Sequence, residues 1–375
     1  MHTWRVIRSG VAMLGGGLAV IIVCLSVRQG TRVVAESPSI GQVYPMSGQA
    51  YVFRFDPVVG HFETFTIPTI GANPQSVGVV SNSANLEVWF TEPGADQIGR
   101  LIYTDTTDYV LREYTVMEGS TPLNLAVDGE YIWFTAQRGN WIGRLAVTSG
   151  GYVTFPVPTA GSQPSGIDVA PDSSVWFTEM AADKIGRLTV TTTTDYEVTE
   201  YPINGTNVGA YGIAVQTNNY VWFGETRTGT VRRLKVADGS YVWTTMLGPH
   251  GYPYALLIDD GRNYLWLTER DDNQISQVEL TTLMIVNSFP ITPASNRLPT
   301  GLTLLGNNQF WFSGQGSGQI GRMVYTSTAI FQFEAFDLPV HGLRAMDITT
   351  DDNGRLWIVA YIPQRVFLPL TMRDQ

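Results

Sequence analysis

Apolar and polar positions alternate in short runs along nearly all of the chain after residue 35, and the runs return in a fixed order. SGIDVA (165–170) is followed by a polar turn and then by VWFTE. A short loop (PGADQ, MAADK) leads into IGRL, and an outer run such as VLREYTV closes the unit. Period-two stretches of β-branched and aromatic residues, broken by Gly, Asn, Asp and Pro, predict strands. No amphipathic helical stretch competes with them after residue 35.

The unit repeats. Aligned on tryptophan, the copies centre on Trp89, Trp133, Trp176, Trp222, Trp266, Trp311 and Trp357, spaced by 44, 43, 46, 44, 45 and 46 residues. Four antiparallel strands repeated radially at this period make the blades of a propeller. The pattern therefore predicts an all-β fold of seven blades, with four antiparallel strands in each. HFETFTIP (61–68) matches the outer strands and is expected to complete the seventh blade, so that the ends of the ring join. Residues 51–56 and 364–369 compete for the place beside it.

Within each unit the Trp and Phe of WF are expected in the core on alternate faces of one strand. The glycines of IGR, Gly99, Gly143, Gly186 and Gly321, mark places where a side chain would collide. Asp96, Asn140, Asp183 and Asn273 suit turn positions where the side chain bonds nearby backbone. Glu follows Trp by three positions as Glu92, Glu179, Glu225 and Glu269, and is Ala136, Gly314 and Ala360 elsewhere. An obligatory salt bridge to the Arg of IGR would make the two residues vary together. They do not: Arg144 and Arg322 stand without the Glu, and Glu269 stands opposite Gln277. Strand order places these four carboxylates near the ring face with the axial cleft, where they could favour a cation or a basic ligand.

Residues 9–27 carry no charge, and Arg5, Arg8, Arg28 and Arg32 flank them. As a helix they span close to the ~30 Å of a bilayer core. Residues 1–35 thus read as a membrane anchor or a cleaved signal peptide, 36–50 as a short linker and 51–375 as the propeller, exported from the cytoplasm. The one cysteine, Cys24, lies in the first segment, so the propeller has neither disulfides nor thiol chemistry. Charged residues are 15% of the chain, and 23 Lys+Arg against 33 Asp+Glu give a net charge of -10. Nucleic-acid binding needs a positive footprint, and none is present.

The repeat W-F-T-E-x-x-x-[ND]-x-I-G-R-[LI] resembles the streptogramin lyase (virginiamycin B lyase) family from residue 61 to the end. The resemblance implies a seven-bladed propeller that opens a cyclic depsipeptide ester by magnesium-assisted elimination. It implies general-base histidines after a proline, in P-H-x-I, where the sixth and seventh blades begin, with a nearby Glu. Here those places read Pro299-Thr300-Gly301-Leu302 and Leu343-Arg344-Ala345-Met346, and Ala360 stands where the Glu would. Thr300 is no general base, and Arg344 stays protonated.

Three functions are expected. The first is an axial face that holds a small molecule, glycan or peptide. The second is a surviving lyase with relocated bases, and the third an interaction scaffold in the cell envelope. The candidate residues are His250, His341 and Glu269 for catalysis. Tyr254, Arg344, Glu92, Glu179 and Glu225 are candidates for ligand binding, and Glu269 for Mg²⁺. His250 and His341 precede the inner strands of blades five and seven. A membrane partner is expected through the N-terminal segment if it stays uncleaved.

Overall fold

The computed structural model describes residues 10–14, 17–21, 47–81, 86–104, 108–217, 219–247, 251–292, 297–306, 308–327 and 330–364. The chain divides into two units, residues 1–44 and 45–375. In the first, the described residues are two strands, Gly10–Leu14 and Gly17–Ile21, paired antiparallel with Leu14 opposite Gly17. The hydrophobic helix expected over 9–27 falls otherwise outside the described residues. Its described part is extended. No helix among the described residues is long and apolar enough to cross a membrane.

The second unit is a ring of seven four-stranded antiparallel sheets. The strands of each blade are a to d from the axis outward. In blade 1 they are Val77–Ser81, Leu86–Glu92, Gln97–Tyr103 and Tyr109–Thr115. Inner strands of successive blades touch all the way round, blade 7 against blade 1 included. Blade 7 is made from both ends of the chain. Arg344–Thr350 and Leu356–Tyr361 are its strands a and b, while Ala50–Asp56 and His61–Ile67 are c and d. The competition for strand c is therefore decided for residues 51–56. Arg54 pairs with Trp357 in the register that joins Arg100 to Trp89 and Arg187 to Trp176.

The repeat residues carry the packing. All seven tryptophans are buried, the most exposed at 3%. Arg100, Arg144, Arg187, Arg233 and Arg322 of strand c lie over their partner indoles, at 4.9 Å for Arg100–Trp89 and 5.4 Å for Arg187–Trp176, while Arg54 lies over Tyr103. That cation–π contact is what the Arg of IGR makes in place of a bond to the Glu three positions after Trp. Its ion pairs go to other carboxylates, Arg100 to Glu87 and Arg322 to Glu334. The strand-c glycines face their own blade's phenylalanine. A Cβ on Gly143 would stand 2.2 Å from the Phe134 ring, and one on Gly186 2.1 Å from Phe177. The collision is with the ring of strand b in the same blade. Where the ring is absent the glycine is absent too, as Leu267–Ser276 and Ile358–Phe53. Blade 4 keeps Phe223 opposite Arg232, beside a register shift in the outer ladder.

The turn residues do more than close their own loops. Asp96, Asn140, Asp183 and Asn273 all adopt positive φ. Asp96 accepts from the backbone of Gly119 and Thr121, and Asp183 from that of Val208. These b–c loops thereby fix the connection that leads into the next blade, as Asn140 does by accepting from Ser162 N.

The Thr of WFT stitches the blades together. Its hydroxyl accepts from the backbone N–H of its own strand a and donates to the inner-strand carbonyl of the next blade. Thr178 accepts from Gly166 (2.8 Å) and donates to Tyr211 O (2.9 Å). Thr91, Thr135, Thr268 and Ser313 do the same for Leu123, Ser165, Thr300 and Met346. Two junctions lack the hydroxyl, because blade 4 has Gly224 and blade 7 has Val359 at this place.

Candidate functional site

The starts of the inner strands surround an axial cavity of about 180 Å³. It is lined among others by Gln75, Asn124, Tyr211, Tyr254, Thr300, Met346 and Asp347. These are equivalent places, the first and second residues after the repeat's proline or its substitute. Pro164, Pro253 and Pro299 pair with Glu179, Glu269 and Gly314, and Ala210 and Ala345 pair with Glu225 and Ala360. Small residues at the second place let neighbouring strands close up. A Cβ on Gly212 would stand 2.1 Å from Tyr254 O.

The two junctions without a hydroxyl stitch are bridged by side chains of this cavity. Between blades 4 and 5, the hydroxyls of Tyr211 and Tyr254 are 2.8 Å apart and their ring centroids 4.5 Å. Between blades 7 and 1, the Asp347 carboxylate accepts from Ser76 Oγ (3.1 Å) and Val77 N (3.0 Å). Burial pushes Asp347 up to about 6, against three hydrogen bonds that hold it down. Burial likewise raises both tyrosines, and the negative charge of Asp347 adds to that. Tyr252 continues the aromatic surface from Tyr254, with centroids 6.5 Å apart, and Arg270 lies 4.6 Å over its ring.

Tyr254 is the sequence-predicted residue that lines this cavity. Glu92, Glu179, Glu225 and Glu269 do not line it. They are at most 1% exposed, and they sit on the Phe face of strand b, turned toward the outer strands. Neither Glu92 oxygen has a hydrogen-bond partner among the described residues. Burial, with the nearby Glu113 charge, raises Glu92 to about 8. Glu179 rises to about 7 by burial and the Glu200 charge. Glu225 is paired with Arg232 at 2.6 Å. Glu269 accepts from Ser276 Oγ and from Gln274 Nε2 (2.8 Å). His341 and Arg344 are exposed before and at the start of strand a of blade 7. His250 lies outside the described residues.

Sequence reasoning missed Tyr211, Asn124 and Asp347. Asn124 stands at the second place after Pro122, where the other blades mostly have small residues. Blades 4 and 7 lack the proline that marks the position, so the motif gave no handle on Tyr211 and Asp347. Counting back nine residues from Trp222 and Trp357 to Ile213 and Ile348 would have found it. The same count corrects the seventh blade. Ala345-Met346-Asp347-Ile348 is in register, two residues beyond the Leu343-Arg344 alignment, so Met346 rather than Arg344 stands opposite Thr300 of blade 6.

Residues 47–197 and 191–368 match the virginiamycin B lyase family. The chain belongs to that family. Among solved structures it is similar to a catalytically inactive virginiamycin B lyase from Staphylococcus aureus with quinupristin. The two share 25% identity at a TM-score of 0.65, over 77% of this chain and 95% of that one. It is also similar to a streptogramin B lyase, at 25% identity and a TM-score of 0.66, over 83% and 97%. A putative 6-phosphogluconolactonase from Bacteroides uniformis shares the fold at 14% identity and a TM-score of 0.57, over 79% and 98%. No curated protein matches the sequence.

As a virginiamycin B lyase family member, this chain has Thr300, Met346 and Ala360 where the resemblance places two histidines and a glutamate. Thr300 is buried, with its hydroxyl 3.0 Å from Ser313 Oγ and 3.3 Å from Ala345 O. Mg²⁺ prefers near-octahedral oxygen ligands. Glu269, the expected ligand of the magnesium that the resemblance implies, is already bonded to Ser276 and Gln274. Among the described residues no three His, Cys, Asp or Glu gather as a metal cluster.

Proposed function

We propose that this chain is a ligand-holding member of the virginiamycin B lyase family, one that takes a small molecule, glycan or peptide at its axial face without eliminating across an ester. The observation that carries the reading is the pair Thr300 and Met346 at the start of blades 6 and 7. A general base must change protonation near neutral pH and reach the proton it removes. A threonine hydroxyl and a thioether do neither. What lines the cavity instead, two tyrosines, an asparagine and an aspartate, can orient a ligand by hydrogen bonds.

The test is to incubate the full chain, in detergent, with quinupristin and Mg²⁺ and to follow ring opening by mass spectrometry. No opened product is expected under conditions where an active virginiamycin B lyase converts all of it. Product that disappears in His341→Ala or His250→Ala would establish relocated bases and overturn the reading.

The uncharged stretch 9–27 between arginines supports a place outside the cytoplasm. Fractionation of expressing cells should then find the propeller on the outer side of the cytoplasmic membrane or in the medium. Recovery from the cytosol would refute export.

A further inference from the structure

We propose that the axial cavity seats an alkylammonium group, held between the Asp347 carboxylate and the hydroxyls of Tyr211 and Tyr254. The group could belong to a small primary amine, a lysine side chain or a free peptide amino terminus. The inference rests on the binding reading above and names the chemistry of its ligand.

Charge comes first. The inner strands of the seven blades contain Asp168, Asp259, Asp347 and Arg344, and no other charged residue and no histidine. Asp259 pairs with Arg262 at the far end of its strand, and Arg344 is exposed at the start of its own. Asp168 does not line the cavity, and Asp347, which does, has only neutral donors: Ser76 Oγ, Val77 N and Ile348 N. No Lys, Arg or His among the described residues forms an ion pair with it. A half-buried carboxylate without a countercharge favours a cation that can bring hydrogen-bond donors with it.

The tyrosine hydroxyls that line the same cavity can also accept. An ammonium has three donors and no acceptor. Each tyrosine hydroxyl keeps lone-pair capacity beyond the bond between them. Asn124 gives its amide nitrogen to Ser165 O (3.1 Å) and a side-chain hydrogen bond to Tyr211, which steadies that hydroxyl in the cavity wall. The tyrosine faces add attraction for a cation. Size narrows the ligand further. A cavity of about 180 Å³ is close to that which accepts one benzene-sized molecule. It takes one side-chain-sized group, and a larger ligand would remain outside with only that group inserted.

The experiment titrates the full chain, in detergent, with n-butylammonium, 1-pentanol and butyrate, reading affinity by calorimetry. Butylammonium should bind about tenfold or more tightly than 1-pentanol, and butyrate should not bind. Asp347→Asn keeps an acceptor for Ser76 and Val77 and should erase the preference for the amine. Tyr254→Phe, which touches none of the Asp347 bonds, should weaken butylammonium about threefold to tenfold. Competition by Nα-acetyl-lysine methylamide against glycine methylamide separates a lysine side chain from an amino terminus as the source. Equal binding of pentanol and butylammonium, or a preference that survives Asp347→Asn, would overturn the amine assignment while leaving a binding cavity. Displacement of butylammonium by MgCl₂ that depends on Asp347 would reassign the cavity to a metal. Failure of all three probes to bind would remove the binding reading itself.

Discussion

Replacing Glu92 with glutamine should make the propeller more stable, and increasingly so as the pH rises. Glu92 is fully buried, with its carboxyl raised to about 8 by burial and by Glu113. In the unfolded chain the same group titrates near 4.5. Between these values the folded protein holds a proton that the unfolded chain has lost, so stability falls as pH climbs from 4.5 to about 8. Glutamine has nearly the shape of the protonated acid and never ionises. The two proteins should unfold at similar temperatures at pH 4.5, and the variant should lead by on the order of 3–5 kcal/mol at pH 9. Ala136, Gly314 and Ala360 at the equivalent places show that a blade closes without this carboxyl. Thermal unfolding of both proteins from pH 4.5 to 9 checks it, and parallel curves would refute the assignment.

Gly143→Ala should destabilise the ring by about 1–3 kcal/mol, because its new methyl would meet the Phe134 ring 2.2 Å away. Phe134→Leu should relieve most of that cost when the two changes are combined. Blade 5 already pairs Leu267 with Ser276 at the corresponding register. Urea unfolding of the two single variants and the double variant gives the coupling, expected at about 1–3 kcal/mol in favour of the pair. Additive losses would mean that the glycine is required for something other than room for the ring.

Seven tryptophans at one spacing made the blades, their number and their core legible from sequence, since a periodic core needs a periodic anchor. The independence of the Arg of IGR from the Glu was legible in the same way. Its partner, the Trp across the ladder, could have been inferred, because the Trp is invariant among the seven units and the Arg nearly so. The axial cavity was harder to see. Each blade contributes only one or two side chains to it, and these differ from blade to blade because they are released from the packing that fixes the repeat. Tyr254 was reachable through its proline. Tyr211 and Asp347 were hidden where Ala210 and Ala345 replace proline. The Glu positions misled for a related reason. Strand order puts them at the cleft end of the ring, but alternation turns them onto the Phe face, into the space that Gly99 and its equivalents leave open.

The composite seventh blade also governs how the chain can be made. Its outer hairpin, Ala50–Asp56 with His61–Ile67, leaves the ribosome about 280 residues ahead of its inner partners, Arg344–Thr350 and Leu356–Tyr361. At roughly 5–20 residues per second that interval is ~15–55 s. Throughout it, an apolar hairpin waits with one unpaired edge, the geometry that invites pairing with a stranger. A nascent chain would therefore depend on holding that hairpin apart until its inner partners arrive. A stop codon in place of Leu356 would leave six complete blades and a seventh split into an inner strand and an outer hairpin with nothing to join them.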